Sequence, residues 1–248
     1  MEVLAVDNIC KSFGGLQALD HVFLKVGVGE RRAVIGPNGA GKTTLFHIIS
    51  GILSPTSGSI FMLGKDISLL PMYHRVNLGL SQTFQIINLF KGLTVLENAV
   101  LAIQGFKRVK HTIHRPLSSY KSLIPQAEEL MEQWGLRGRR DVRVSSLSYG
   151  EQRLLDIMLA MASTPRLLLL DEPTSGLSLA EISVVISKIK DLSREITVLL
   201  IEHNMEVALD LADRVTVLNV GQVVTEGTPG QIKGDPRVKK IYLRTKKE

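Results

Sequence analysis

Gly36-Pro37-Asn38-Gly39-Ala40-Gly41-Lys42-Thr43 has the spacing G-x-x-x-x-G-K-T, in which backbone amides can surround a chain of phosphates and a lysine can reach the outer ones. Glycines allow the close backbone approach, Thr43 offers a hydroxyl to Mg²⁺, and a helix beginning there directs its positive end at the anion. Gly36, Pro37, Asn38, Gly39, Ala40, Gly41, Lys42, Thr43 and Thr44 are therefore the candidates for binding a nucleoside triphosphate such as ATP. Taken alone, the segment is equally compatible with a kinase, a GTPase, a helicase or a transport ATPase.

Two acids follow a continuously apolar run. Leu167 to Leu170 ends in Asp171-Glu172, the arrangement expected where a buried parallel strand delivers carboxylates to its carboxyl end. There Asp171 suits contact with Mg²⁺, and Glu172 can polarise a water attacking the terminal phosphate. A second apolar run, Val198 to Ile201, ends in Glu202-His203, so His203 is expected at the same sheet edge.

The elements that must hold these groups can be read around them. Arg31 to Ile35 reads as a strand, Gly36 to Gly41 as a turn and Thr43 to Ile49 as a helix that Gly51 can end. Leu4 to Val6 and His21 to Val26 read as short antiparallel strands, punctuated by Gly14-Gly15 and by Gly27 to Gly29. Between the two apolar runs, Ile182, Val185, Ile186, Ile189 and Leu192 recur at helical spacing and predict a crossover helix. The stretch from about 88 to 159 reads as mainly helical, with the only tryptophan, Trp134. After His203 come a helix over Met205 to Ala212 and two strands, Arg214 to Val220 and Gln222 to Thr225, forming a hairpin.

Bulk composition narrows the class. With 248 residues, 44% of them apolar, the chain can bury a sizeable core. The single cysteine, Cys10, has no internal disulfide partner and reads as a small buried apolar side chain in a reducing, cytoplasmic setting. No apolar run approaches the roughly 20 residues that span a bilayer, and Met1-Glu2-Val3-Leu4 opens no secretory signal, so the expectation is a chain soluble in its own right. The formal charge of +6 gathers partly at Lys107 to Arg115, Arg137 to Arg143 and Arg237 to Lys247. These clusters lack interleaved aromatics and read as solvated faces, so no nucleic-acid partner is expected.

Leu147-Ser148-Tyr149-Gly150-Glu151-Gln152 separates the alternatives. Ser148 and Glu151 have capping-box spacing at the start of a helix running through Leu154, Leu155 and Met158. The segment resembles the Leu-Ser-Gly-Gly-Gln signature of ATP-binding-cassette (ABC) ATPases, and the resemblance runs over essentially the whole chain. It implies a P-loop NTPase core of α/β class with a mainly parallel sheet, an N-terminal antiparallel β subdomain and an inserted α-helical subdomain. The division implied is a core lobe at about 1–87 and 160–230, a helical subdomain at about 88–159 and a short tail at 231–248.

The resemblance also implies roles. Phe13 stands where an aromatic stacks on adenine, and Gln85 in Thr83-Phe84-Gln85 matches the glutamine that senses Mg²⁺ and the permease. His203 matches the switch histidine, while Glu172, with His203 and Lys42, would carry hydrolysis. Ser148, Tyr149, Gly150, Glu151 and Gln152 would contact the ATP held by an opposite subunit, so a homodimer or heterodimer with a second ABC ATPase is implied. Three positions depart from the common pattern: Phe13 for tyrosine, Tyr149 for a glycine, and Ser178 for an aspartate, the last with Glu181 three residues on as a second capping pair.

Thr83-Phe84-Gln85, Leu93 to Asn98, Gly176-Leu177-Ser178 and Ile201 to Met205 are similar to the ATPases of high-affinity branched-chain amino acid uptake. That branch implies membrane permease subunits as partners, an extracytoplasmic substrate-binding protein, and a place at the cytoplasmic face of the inner or plasma membrane. The same branch also serves urea and short amides, and close relatives move lipids or lipopolysaccharide. The alternative within the family is a soluble ABC ATPase acting on ribosomes or DNA, which generally carries two fused cassettes or a long coiled-coil insertion that this chain lacks.

Overall fold

The structure is a computed structural model that describes residues 1–106 and 121–245. The chain opens with a long hairpin, β1 (Glu2–Phe13) and β2 (Leu16–Gly27), turning at Gly14-Gly15. These strands are longer than their apolar stretches predict. Register shifts let the alternation of buried and exposed residues resume beyond Val6, as Ile9 and Leu19 return to the core. Then come β3 (Arg31–Ile35), α1 (Lys42–Ser50), β4 (Ser57–Met62), β5 (Lys65–Asp66), α2 (Met72–Asn77) and β6 (Leu80–Gln82). The helical stretch contributes α3 (Val95–Phe106), α4 (Ile124–Gln133) and α5 (Tyr149–Met161). It is followed by β7 (Leu167–Asp171), α6 (Leu179–Lys190), β8 (Thr197–Ile201) and α7 (Met205–Leu211). β9 (Arg214–Asn219), β10 (Gln222–Gly227), α8 (Pro229–Gly234) and α9 (Pro236–Thr245) complete it. The basic cluster Lys107 to Arg115 lies outside the described residues, as do Lys246 and Lys247 of the tail.

Two sheets result. One is antiparallel, in the order β2-β1-β4-β5; the other runs β10-β9-β3-β8-β7-β6, parallel from β9 to β6 and closed at one edge by the antiparallel β9–β10 hairpin. Both faces of the parallel sheet are covered, which is why β3, β7 and β8 are buried along their whole length and why β7 and β8 read as nearly continuous apolar runs, while β3 carries the buried Arg31 and Arg32 ahead of its apolar end. Alternate residues face opposite layers. Leu167 and Leu169 join a core with Leu45, Phe46, Ile48 and Ile49 of α1 and the inner face of the antiparallel sheet. Leu168 and Leu170 join the other, with Val185 and Ile189 of α6, Val207 and Leu211 of α7, and Val95, Trp134 and Met158 of the helical stretch. Each such leucine contributes roughly 1.5–3 kcal/mol by leaving water, so the sheet edge bearing the polar residues is anchored on both sides.

Candidate functional site

The phosphate-binding turn joins β3 to α1, so it emerges at the carboxyl edge of the parallel sheet beside the ends of β7 and β8. Its shape depends on Gly41, which has φ 102° and whose added Cβ would sit 2.6 Å from the Ala18 carbonyl oxygen. The loop is clipped to its surroundings by the β9–β10 turn: Gly221 N–H donates to Ala40 O at 3.0 Å, and Asp20 N–H donates to Gly221 O at 2.9 Å. Lys42 is buried, and its ammonium donates to the carbonyls of Gly36 and Pro37 at 2.8 and 2.9 Å. Burial holds its pKa below the ordinary lysine value, with Glu172 and Asp171 opposing that shift.

A cleft of about 620 Å³ lies over this loop, lined by Phe13 and Leu16, by Asn38 to Thr44 of the loop and the start of α1, and by Gln85 and Glu172. Val220 and Gly221 also line it. A larger groove of about 780 Å³ runs along the β1–β2 hairpin past His21, Phe23 and Phe61, but contains none of the phosphate-loop or acidic residues. Sequence and geometry therefore coincide at the smaller cleft.

Glu172 is the carboxylate that lines that cleft. Its Oε2 lies 3.4 Å from Gln85 Nε2 and 3.4 Å from His203 Nδ1, so residues from three separate segments meet at one carboxylate oxygen. Glu172 has φ 46°, in the left-handed region that a side chain with a Cβ rarely occupies. Its N–H donates to Ile201 O at 3.1 Å, extending the β7–β8 ladder into the strained residue. Asp171 is buried one residue earlier, its pKa raised first by burial and then by Glu172, against the pull of His47, Arg153 and Lys42. An acid that resists ionisation beside a buried ammonium is a group whose charged form a further cation would favour.

Ser148 to Gln152 do not enter this cleft. Ser148 caps α5 through the expected box: its hydroxyl accepts from Glu151 N–H, while the Glu151 carboxylate accepts from Ser148 N–H at 2.9 Å. Ser148 and Tyr149 are exposed on the surface. Ser178 and Glu181 form a second box at the start of α6, and the two meet at Gly150. A Cβ on Gly150 would lie 2.3 Å from Glu181 Oε1. Cys10, expected as a buried apolar residue, is only partly covered and accepts the His21 N–H at 3.3 Å, because β1 is bulged there.

Several residues at the site escape sequence reasoning. Arg153 is 1% exposed and reaches the carbonyls of Phe84, Asp171, Glu172 and Pro173. Its signal is an arginine inside an otherwise apolar helical stripe. Glu202 is fully buried; its Oε1 accepts from Thr174 Oγ1 at 2.7 Å and Thr174 N–H at 3.2 Å, while its Oε2 has no partner of regular hydrogen-bond geometry among the described residues. Burial raises its pKa. The turn residues Val220 and Gly221 carry no sequence signal for cleft lining, since the β9–β10 hairpin reaches the loop only through the sheet order.

The sequence model of the ABC transporter family matches residues 19–175. Among curated relatives, the lipopolysaccharide export ATP-binding protein LptB of Haemophilus influenzae is 36% identical, covering 98% of both chains. The high-affinity branched-chain amino acid transport ATP-binding proteins LivG of Escherichia coli and BraF of Pseudomonas aeruginosa are 35% and 36% identical, covering 97% of both chains. Among solved structures, a nucleotide-free ATP-binding cassette from an ABC transporter superposes with TM-score 0.86 at 29% identity, covering 98% of this chain and 99% of its own. A cassette in its ADP conformation gives TM-score 0.86 at 30% identity with the same coverage.

Proposed function

This chain belongs to the ABC transporter family as one of its ATP-hydrolysing subunits, and we propose that it energises a separate membrane permease, with Glu172 as the base that activates the attacking water. The meeting of Gln85 and His203 on Glu172 Oε2 at the phosphate-loop cleft carries this reading. ATP would place its adenine against Phe13 and its phosphates over Gly36 to Thr44, with Lys42 leaving its loop carbonyls for the outer phosphates. Thr43, Gln85 and Asp171 supply the hard oxygen donors that suit Mg²⁺, which when bound neutralises phosphate charge. Glu172 then takes the proton of the water, and His203 faces the same side of the developing charge.

The exposed Ser148 and Tyr149, lying away from their own chain's cleft, support a head-to-tail pair in which residues Ser148 to Gln152 serve the ATP of a second cassette, identical or related. No described helix is long and apolar enough to cross a membrane, so attachment at the cytoplasmic face would come through permease subunits. Ile86 and Phe90, 78% and 63% exposed just after Gln85, provide apolar side chains for that contact. Asn98 holds this loop by bonding both the N–H and the C=O of Phe90. The same reading divides the chain into a core lobe at about 1–87 and 160–230, a helical subdomain at about 88–159 and a short tail at 231–248.

For cargo, the likeness to LivG and BraF favours uptake of branched-chain amino acids or related amino acids and amides, together with an extracytoplasmic binding protein. The equal identity to LptB supports a second reading, movement of lipopolysaccharide or another lipid. The catalytic assignment is tested by steady-state turnover of Glu172→Gln. A fall of about 10²-fold or more with MgATP binding retained is expected, and wild-type turnover would remove Glu172 from the role.

A further inference from the structure

Four of the five hydrogen bonds of one buried arginine are directed at the segments that surround Glu172. Arg153 Nη2 donates to the carbonyls of Asp171 and Glu172 at 2.7 and 2.6 Å, Nε to Pro173 O at 3.1 Å, and Nη1 to Phe84 O at 2.8 Å. Its remaining contact is with Asp156 Oδ2 at 3.5 Å, one helical turn along α5. Five N–H groups thus meet five acceptors, the full inventory of a guanidinium. Asp156, at the long end of hydrogen-bonding distance, is the one carboxylate among these acceptors, and the other four are backbone carbonyls. Carbonyl acceptors alone do not mark a functional arginine, since the equally buried Arg75 donates to the carbonyls of Leu70, Ile48, Ile49 and Ser68 away from the cleft. Arg153 differs in what its acceptors belong to. Here it binds backbone belonging to two functional segments.

The location gives these bonds a consequence. Glu172 holds φ 46°, and conformations of this kind persist only where surrounding contacts over-determine them. Arg153 fixes the carbonyl of that residue while Ile201 fixes its N–H. Arg153 also stands five residues beyond Ser148 on α5, about 7.5 Å along the axis at the usual rise. The exposed capped end of α5, the carbonyl preceding Gln85 and the backbone of Glu172 are therefore joined by one side chain.

We infer that Arg153 is a positioning residue for ATP hydrolysis, which sets the Glu172 carboxylate by clamping its backbone to the signature-bearing helix α5 and to the Phe84–Gln85 segment. The inference rests on the reading of Glu172 as the base. A displacement of α5 by an opposing cassette, or of Phe84–Gln85 by a permease, is transmitted through the guanidinium to the residue that activates water. Lysine keeps the charge but offers three donors from a single point and cannot reproduce the planar fork.

The experiment compares Arg153→Lys and Arg153→Gln with wild type, with Glu172→Gln and with the double variant Glu172→Gln/Arg153→Lys. It measures kcat, KM, equilibrium binding of a fluorescent ATP analogue and the thermal midpoint. Because the phosphate loop and Phe13 lie on other elements, Arg153→Lys should bind the analogue within about twofold of wild type while kcat falls tenfold or more. Since the residue acts through Glu172, the double variant should turn over no more slowly than Glu172→Gln alone. An unchanged kcat in Arg153→Lys, a further tenfold loss in the double variant, or a loss of turnover matched by equal loss of analogue binding would each overturn the inference. If Glu172→Gln itself retains wild-type turnover, the reading of the base is at fault. If Glu172→Gln is inactive while Arg153→Lys is fully active, only the clamp is wrong.

Discussion

Replacing Gly150 by alanine separates two reasons for a glycine at this position. The new methyl group would lie 2.3 Å from Glu181 Oε1, 2.6 Å from Cδ and 2.8 Å from Cγ, all atoms of one flexible side chain. The backbone of α6 need not move, because Glu181 can swing away. What it gives up is its part in the Ser178–Glu181 capping box, where its carboxylate accepts from Ser178 N–H at 2.9 Å and from Ser178 Oγ at 2.7 Å. Loss of such a cap costs about 1 kcal/mol, partly offset by a helix-propensity gain of up to about 1 kcal/mol for alanine over glycine. The expected change in thermal midpoint is therefore within about 4 °C for a domain of this size. In a Glu181→Ala background the clash is absent, so Gly150→Ala should be neutral or stabilising, giving a coupling of about 1 kcal/mol in a double-mutant cycle. Steady-state hydrolysis, by contrast, should fall at least tenfold in both backgrounds, since the first turn of α5 is altered either way. Additive stability effects, or a destabilisation well above 2 kcal/mol for Gly150→Ala alone, would refute the claim that Glu181 is what the glycine accommodates.

Glu202 gives a pH-dependent prediction. Burial raises its folded-state pKa above the unfolded value, so the native chain holds this proton more tightly, and the residue's contribution to stability declines as pH rises from the ordinary glutamate range through the folded pKa. Glu202→Gln should therefore gain in thermal midpoint relative to wild type between pH 5 and pH 8; a gap that is constant or shrinks would contradict the assignment. Thr174→Val removes the 2.7 Å bond to the same carboxyl and should cost about 1–3 kcal/mol in chemical denaturation, and a cost near zero would mean that this bond is not made in solution. Phe13, 45% exposed at the mouth of the cleft with Lys11 Nζ 5.0 Å from its ring centre, should lose about 0.5–1.5 kcal/mol of nucleotide affinity as Phe13→Ala, or about twofold to twelvefold in Kd. Phe13→Tyr should bind as wild type, and equal weakening by both changes would argue against stacking.

Legibility of the fold followed the physics of each segment. β7 and β8 could be read directly because a parallel strand covered on both faces is apolar along nearly its whole length, β3 through its apolar end Ala33 to Ile35 ahead of the glycine turn, and the Ser148–Glu151 and Ser178–Glu181 capping boxes because they are local in sequence. β1 and β2 were underestimated because bulges interrupt their period of two, so His21 and Asn8, both at positive φ, break the pattern without ending the strand. β6, only Leu80 to Gln82, is too short to show any period. At the site, the phosphate loop, the two acids and His203 were legible as residue types at fixed spacing. Arg153, Thr174 and Gly221 were not, because what they do depends on atoms 18 to 181 positions away: Arg153 on the Asp171 carbonyl, Thr174 on the Glu202 carboxylate, Gly221 on the Ala40 carbonyl. Carbonyl acceptors carry no residue identity, so a side chain that binds them leaves no partner to find in the sequence.

The central claim is that this ATPase drives a membrane permease, and capture of the closed state tests it most directly. The tagged Glu172→Gln chain would be extracted from membranes in detergent with ATP and Mg²⁺ present, and the proteins retained with it identified by mass spectrometry. The account predicts multi-spanning membrane subunits, retained with ATP and lost when it is omitted, together with a second cassette. Recovery of ribosomal proteins or nucleic acid in place of membrane subunits would contradict it, leaving the nucleotide chemistry without the transport role.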